Sequence, residues 1–567
     1  MRRPARLRPL TVVALTLALA GLAAGGGGSS SGGGSSSVDG GAAGTPGTPA
    51  TPVPVGTSAT GTPPIGTTLL AGAGCALTYT LTASPLLSGA DPLLAQQWHL
   101  RNTGQSGGTP GEDLRALEAW ASGQGAGVRV AVIDDAIEVV HPDLQPNLLD
   151  GASRSYRVGN PYPGWPVPCT ADDDHGTAVA GLVLARDGNA AGGAGVAPRA
   201  SLVAFDALAS SLDVDVADAL NRDADLNAIY QNSWGSPDNG ALHPAEPVFE
   251  QAIDRGVDTG RAGRGSVFVF AGGNGGCYGR SGPSTCLVDD SNYDGYVNHR
   301  GVIAVCAVDD RGRRPGYGEP GANLTVCAPS SGSSSAVTTT ALRGAYRNDF
   351  SGTSASTPMV SGVVALMLAA NPNLSWRDVR WILAKTARRN DPTDPDWIAT
   401  PGRPAFNHKY GFGVVDAFAA VAAARNPGSL DSPAPGSSTL VRCGPYSATP
   451  NAPLPDRSGA TVTPVSSAIP VTGCGITRIE FVEIRLTAPH AYAGDLRVRL
   501  TSPTGTTSRL AEARACAGGC GSYANWRFGS MRHLDEPASG AWTLQVADDA
   551  PIDTGTFQGW SLVIHGR

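Results

Sequence analysis

The chain has 567 residues, enough for two or three domains and at least one large buried core. Its net charge of −7 argues against a nucleic-acid partner, which calls for a basic face. An apolar content of 41% places most of it among globular sequences.

Residues 1–24 read as an export signal. Arg2, Arg3, Arg6 and Arg8 precede an apolar run from Leu10 to Ala24 that ends in small residues. The run is short for a bilayer span, so cleavage is expected and a stable membrane anchor is not. Position 25 is glycine, with no cysteine beside it to carry a lipid. Residues 25–90 are rich in Gly, Ser, Thr, Ala and Pro and read as a spacer, with order expected to begin near Asp91.

From 91 to 425, short apolar runs alternate with helix-like segments. Residues 128–135, 200–207, 226–234, 266–274 and 301–310 read as strands buried on both faces, and 177–186 and 247–256 as helices. This alternation predicts an α/β domain with a mainly parallel sheet, whose sites lie beyond the carboxyl ends of the strands. A breaker-rich linker occupies 426–438. From 439 to 567 apolar and polar residues alternate between glycines and prolines, the pattern of a small all-β sandwich or barrel.

The ten cysteines suit export and disulfides. Spacing favours Cys277–Cys286, Cys306–Cys327, Cys443–Cys474 and Cys516–Cys520, leaving Cys75–Cys169, although sequence alone leaves the pairing open. Neither paired CxxC knuckles nor clustered histidines support zinc.

Four residues carry the chemistry. Asp134 ends a predicted strand, His175 opens a helix, Asn274 follows another strand, and Ser354 stands at the front of a long apolar helix. Each alone is a common turn or helix-start residue. Together, in this order and at these positions, they supply what acyl transfer needs. A hydroxyl attacks and an imidazole takes its proton, while a carboxylate holds the imidazole and amide donors receive the oxyanion.

The motifs AVIDDAIEVVHPDL, DDHGTAVAGLV, SWGSPDNG, AGGNGG and SGTSASTPMVSG resemble the subtilase superfamily of serine proteases, in its kexin/furin-like branch. The β-rich tail, with AYAGDLRVRLTSPTGT, GAWTLQVAD and GTFQGWSLVIHG, is similar to the P (Homo B) domain of that branch. The resemblance implies substrate-pocket acids at Asp135, Asp172, Asp238 and Asp294, with Asp238 and Asp294 holding the basic residue before the cut. It also implies two Ca²⁺ sites, one of Asp91, Asp143 and Asn189, the other of Asp238, Asp289 and Glu319. The chain departs from the branch at Ala136, at SWGSP, and in having no counterpart of the acids that read the fourth residue before the cut; Asn221 and His243 fall in those regions. Residues 25–90 do not read as an inhibitory propeptide, which leaves a role open for a separate folding chaperone. The β module is then expected to pack on the protease and support it.

These observations point to an exported, Ca²⁺-dependent serine endopeptidase acting on protein and peptide substrates after basic, especially dibasic, residues. A broad-specificity subtilisin is the alternative among enzymes. A non-catalytic adhesion protein on the same scaffold would have no chemical reason to keep all four catalytic groups.

Overall fold

The computed structural model describes residues 63–83, 88–210, 212–276, 289–332, 336–398, 402–432, 436–517 and 519–567. The expected export signal, most of the expected spacer, and Cys277 and Cys286 lie outside them.

Apolar runs of four to seven residues form the centre of the molecule as β1 (Arg129–Ile133), β2 (Ser201–Phe205), β3 (Ile229–Asn232), β4 (Val267–Ala271), β5 (Val302–Val308) and β6 (Leu324–Pro329). They pair in parallel in the order β2-β1-β3-β4-β5-β6. All but the first residues of β1 and β2 are buried, which explains their continuous rather than alternating hydrophobicity. Around the sheet lie α1 (His175–Leu184), α2 (Asp213–Asn221), α3 (Pro247–Gly263), α4 (Thr353–Ala370), α5 (Trp376–Thr386) and α6 (Ala417–Arg425). Among the described residues α4 alone has the length and apolarity of a membrane span, and it is apolar all round because it is a buried core helix. The fold is the α/β architecture expected from the sequence.

Order begins earlier than Asp91. Residues Thr68–Leu69 and Tyr79–Thr80 make a short antiparallel hairpin, and Leu69, Leu77, Tyr79 and Leu81 join the α/β core. Cys75–Cys169 ties this hairpin to the segment that leads into α1. The four apolar side chains offset an ordering cost that the surrounding composition could not. Cys306–Cys327, Cys443–Cys474 and Cys516–Cys520 are also bonded, as spacing favoured.

Between β6 and α4 lies an antiparallel pair, β7 (Val337–Ala341) and β8 (Ala345–Phe350). The tail is an antiparallel sandwich. Its strands are β9 (Val441–Ala448), β10 (Val465–Val471), β11 (Ile479–Ala488), β12 (Leu496–Thr501), β13 (Thr507–Ala511), β14 (Tyr523–Ser530), β15 (Gly540–Asp548) and β16 (Gly559–Gly566). One sheet runs β9-β16-β11-β14 and the other β10-β15-β12-β13. The sandwich packs on the α/β part through a shared apolar cluster of Trp381, Ala384, Phe406 and Phe412 with Phe481, Met531 and Leu534. Beside it Arg377 of α5 forms a bidentate pair with Glu480 of β11, each side chain 3% exposed.

That pair is buried, so losing one partner should cost far more than losing both. Arg377→Met is expected to lower stability in urea unfolding by about 3–5 kcal/mol, and Arg377→Met with Glu480→Leu to recover most of it. Equal losses from the single and the double variant would show that the charge pair is not what couples α5 to β11.

Candidate active site

Three of the parallel strands deliver the site. β1 ends at Ile133, and Asp134 follows it with 1% exposure. His175 opens α1, and its Nδ1 lies 2.8 Å from Asp134 Oδ1. The next carboxylate, Asp135, accepts the His175 and Gly176 backbone amides at 3.2 and 2.8 Å and that of Ala136 at 2.6 Å. It therefore caps the helix that presents the imidazole. Burial, and then the neighbouring Asp134 charge, push Asp135 up to about 7. On His175 burial works against the proton, but the Asp134, Asp135 and Asp174 charges outweigh it and raise the imidazole to about 9.

Ser354 is the second residue of α4. Pro358, four residues on, has no N–H to give the Ser354 carbonyl, and that carbonyl instead accepts Ser233 Oγ at 2.9 Å. Ser354 Oγ donates back to the Ser233 carbonyl at 3.2 Å. Ser233 follows β3, and Gln231 within β3 donates Nε2 to Ser233 Oγ at 2.7 Å. Ser361, three residues beyond Pro358 in α4, donates to Gln231 Oε1 at 2.5 Å. A chain Ser361–Gln231–Ser233–Ser354, buried up to its half-buried last member, thus ties the helix to the sheet. Immediately before α4, Gly352 adopts φ +81°, a conformation that a side chain would strain.

Asn274 follows β4. Its amide oxygen accepts Thr353 N at 2.8 Å and Thr353 Oγ1 at 3.1 Å, leaving Nδ2 as its donor end. Asn274 and Ser233 line a pocket of about 210 Å³ whose walls also carry Asp238, Asp289, Asp294 and Glu319. Asp294 accepts Ser236 N at 2.9 Å, Ser236 Oγ at 3.1 Å and Tyr296 N at 2.7 Å. Burial nevertheless pushes it up to about 6. Asp238 accepts Asn274 N at 3.2 Å, Asp289 accepts Gly240 N at 2.7 Å, and Glu319 accepts Gly275 N at 2.8 Å. Burial and then the charges around them raise Asp289 to about 6 and Glu319 well above the carboxylate range. Gly273 has φ +105°, and a Cβ there would stand 2.3 Å from the Glu319 carboxyl carbon.

A second acidic set lies apart from this pocket. Asp91 accepts Gly188 N at 2.8 Å and Asn189 N at 3.1 Å, and Asn189 Nδ2 donates to Asp143 Oδ1 at 2.7 Å. Burial first, and Asp91's charge among its neighbours, hold Asp143 up near 6.

The structure therefore brings together Asp134 with His175, Ser354 with Ser233, and Asn274 with Asp238, Asp289, Asp294 and Glu319. It gives Asp135 a helix-capping position, and it leaves Asp172 exposed. Neither lines the pocket. His243 does line it, although the sequence offered no part for it, while Asn221 ends α2. Sequence reasoning also missed Ser233, Gln231 and Ser361. An imidazole held by a buried carboxylate, a helix-start hydroxyl and a side-chain amide can together carry out acyl transfer, and a pocket of carboxylates can hold a cation.

Residues 125–413 match the model of the subtilase family, and residues 479–564 that of the proprotein convertase P-domain. The chain is 35% identical over 493 residues to the dibasic-processing endoprotease of Schizosaccharomyces pombe, covering 84% of this chain and 66% of that protein. It thus spans just under two thirds of that relative's length. To human neuroendocrine convertase 2 it is 33% identical over 492 residues, covering 84% of this chain and 74% of the other. The crystal structure of the serine protease of Aeromonas sobria superposes with a TM-score of 0.73 at 26% identity, over 85% of this chain and 96% of that one. A structure of that protease with its chaperone aligns equally well, at 25% identity.

The raised imidazole has a consequence for stability. The folded chain binds the His175 proton more tightly than the unfolded chain does. Its contribution is full below the ordinary value near 6.5 and is lost as pH rises toward about 9. A two-dimensional NMR titration should find the His175 midpoint above 6.5, and Asp134→Asn should lower it. A midpoint at or below 6.5 in the unaltered protein would contradict the electrostatics described.

Proposed function

The chain belongs to the subtilase family and carries a proprotein convertase P-domain, and from that premise we propose an exported, calcium-dependent serine endopeptidase that cuts after basic residues. The observation that carries this reading is one recess lined by Asn274 and Ser233 together with Asp238 and Asp294. A substrate whose cationic side chain enters among the carboxylates has its scissile carbonyl near Ser354, which Ser233 holds through two hydrogen bonds.

In this reading Ser354 Oγ attacks the carbonyl. To do so it leaves the Ser233 carbonyl and meets His175 Nε2, the ring nitrogen opposite the Asp134 contact. His175 takes the hydroxyl proton and returns it to the leaving amine. Asp134 fixes the tautomer and stabilises the imidazolium, and a neutral His175 becomes more abundant toward alkaline pH. The developing oxyanion is bound by Asn274 Nδ2 and by a backbone N–H at the start of α4. Asp294, already held by Ser236 and Tyr296, accepts hydrogen bonds from the guest cation, and Arg suits its fixed fork better than Lys.

Calcium fits both acidic sets. Asp238, Asp289 and Glu319 offer only oxygen atoms, from separate loops, and no salt bridge is found to any of them among the described residues. Asp91, Asp143 and Asn189 form the second set. A bound ion supplies the positive charge that lets crowded carboxylates remain ionised. Export is supported by the arginine-then-apolar amino-terminal pattern and by the disulfides. The Aeromonas sobria protease was solved with a chaperone, which supports a folding chaperone as a partner here.

One observation favours looser recognition of the residue before the basic one. Asp135 is committed to the helix-start amides of α1, and Asp172 is exposed. A preference for dibasic pairs then rests on what remains of Asp135's acceptor capacity.

Ser354→Ala should lower turnover by about 10⁶-fold with the fold intact, and survival of a tenth of the activity would rule out Ser354 as the nucleophile. Asp294→Asn should lower kcat/KM for peptides cut after Arg by about 10²-fold while sparing those cut after Leu. An unaltered enzyme without Arg preference would favour the broad-specificity reading. Excess chelator should lower the unfolding temperature, because a ligand bound only to the folded state stabilises it by mass action. A melting curve unmoved by chelator would mean that neither set holds calcium.

A further inference from the structure

One wall of the acid pocket is not made by the α/β domain alone. The segment from Ser236 to His243 leaves β3 without entering a helix or strand, so its backbone polar groups need partners from elsewhere. The β sandwich supplies several of them. Arg514, in the loop between β13 and β14 and 7% exposed, donates Nε to the Gly240 carbonyl at 2.5 Å. Ala517 N donates to the Asn239 carbonyl at 3.0 Å, and Leu242 N donates to that of Cys520 at 3.1 Å. Gly240 has φ +76°, and a Cβ there would lie 2.7 Å from the Ala515 carbonyl oxygen, so the two backbones meet closely.

The same guanidinium reaches a second part of the pocket lining, Tyr293. It lies 3.7 Å above the Tyr293 ring, and Nη1 donates to the Tyr523 hydroxyl at 3.1 Å. Tyr293 directly precedes Asp294, and its hydroxyl accepts Glu512 N of the sandwich at 3.1 Å. Gly240, two residues after Asp238, donates its N–H to Asp289. No carboxylate lies within ion-pair distance of Arg514 among the described residues. Its contacts are a backbone carbonyl, an aromatic face and a phenol, the partners of a clamp rather than of a salt bridge.

We propose that Arg514 is a positioning residue for the acid pocket. By gripping the Gly240 carbonyl on one side and the Tyr293 ring on the other, it fixes the separation of Asp238 and Asp294. The β sandwich thereby sets how well the pocket recognises a cationic side chain. Arg514 touches no reacting atom and acts through these two walls. The proposal rests on the reading of the pocket as the site for a basic residue.

The test uses the full chain with calcium and two peptides that differ only in Arg or Leu before the cut, with active-site titration to count competent enzyme. Arg514→Met keeps the stem and removes the fork. It should raise KM for the Arg peptide about 10- to 100-fold, leave kcat per titrated site within about threefold, and leave KM for the Leu peptide within about twofold. Arg514→Lys keeps the charge without the planar fork and should give an intermediate KM on the Arg peptide only. If Arg514→Met does not accumulate as folded protein, Arg514→Lys decides alone. A parallel loss on both peptides, or an unchanged Arg-to-Leu ratio in the folded variants, overturns the proposal. An unaltered enzyme with no Arg preference overturns both the proposal and the reading of the pocket beneath it.

Discussion

Four carboxylates share one recess at the carboxyl edge of the sheet, and no side-chain cation is paired with any of them among the described residues. Like charges at such spacing repel strongly once water is withdrawn, and burial itself disfavours ionisation. The raised Glu319, Asp289 and Asp294 carboxyls record that cost. What holds them together is a set of backbone amides, from Ser236, Gly240, Asn274 and Gly275, each aimed at one carboxylate. Amides stabilise without neutralising, so the recess stays hungry for a cation. Under the proposed function the resident cation is a divalent ion and the transient one a substrate guanidinium.

This constraint explains several features that look unrelated. Gly273 and Gly275 are small because any Cβ there would meet Glu319 or Asp289. The loops that carry the acids follow parallel strands, whose carboxyl ends all open to the same side. Those loops are irregular, and irregular backbone near a buried site must find its hydrogen bonds outside itself. The β sandwich meets that need with Arg514, Ala517 and Cys520, and with Arg527, which reaches the Gly295 carbonyl at 2.9 Å and Asn298 Oδ1 at 2.8 Å. The second domain is thus part of the pocket's scaffolding rather than an appendage.

The legible part of this protein was its local signal. Unbroken Val/Ile/Ala/Phe runs gave the sheet, and motifs at strand ends brought Asp134, His175, Asn274 and Ser354 into view because each needs only its own neighbours to be recognised. The hairpin at 63–83 was hidden because Leu69, Leu77, Tyr79 and Leu81 are sparse in a tract whose composition says spacer, and because Cys75 finds Cys169 across 94 residues. Resemblance places Asp135 in the pocket, yet its carboxylate accepts backbone amides 40 and 41 positions away. Side chain to backbone contacts at such range leave no periodicity in a sequence. The same is true of Gln231 with Ser361, 130 residues apart, and of Arg514 with Gly240, 274 apart.

The front of α4 shows how such long-range contacts solve a local problem. A helix that is to present the Ser354 hydroxyl in one orientation needs a fixed first turn, yet Pro358 removes the bond that would hold the Ser354 carbonyl within the helix. An unpaired buried carbonyl would cost about 1–3 kcal/mol and leave the first turn free to shift. Ser233 takes that carbonyl, so the break in the helix becomes an attachment to β3. Gln231 then fixes the Ser233 hydroxyl, and Ser361 fixes the Gln231 amide. Gln231, Ser233 and Ser361 are buried and each bond leaves the next with one orientation, so the order of the sheet passes to the half-buried Ser354 through side chains. Without Ser233's hold on the Ser354 carbonyl, the first turn would rest on packing and on the Asn274 contact with Thr353.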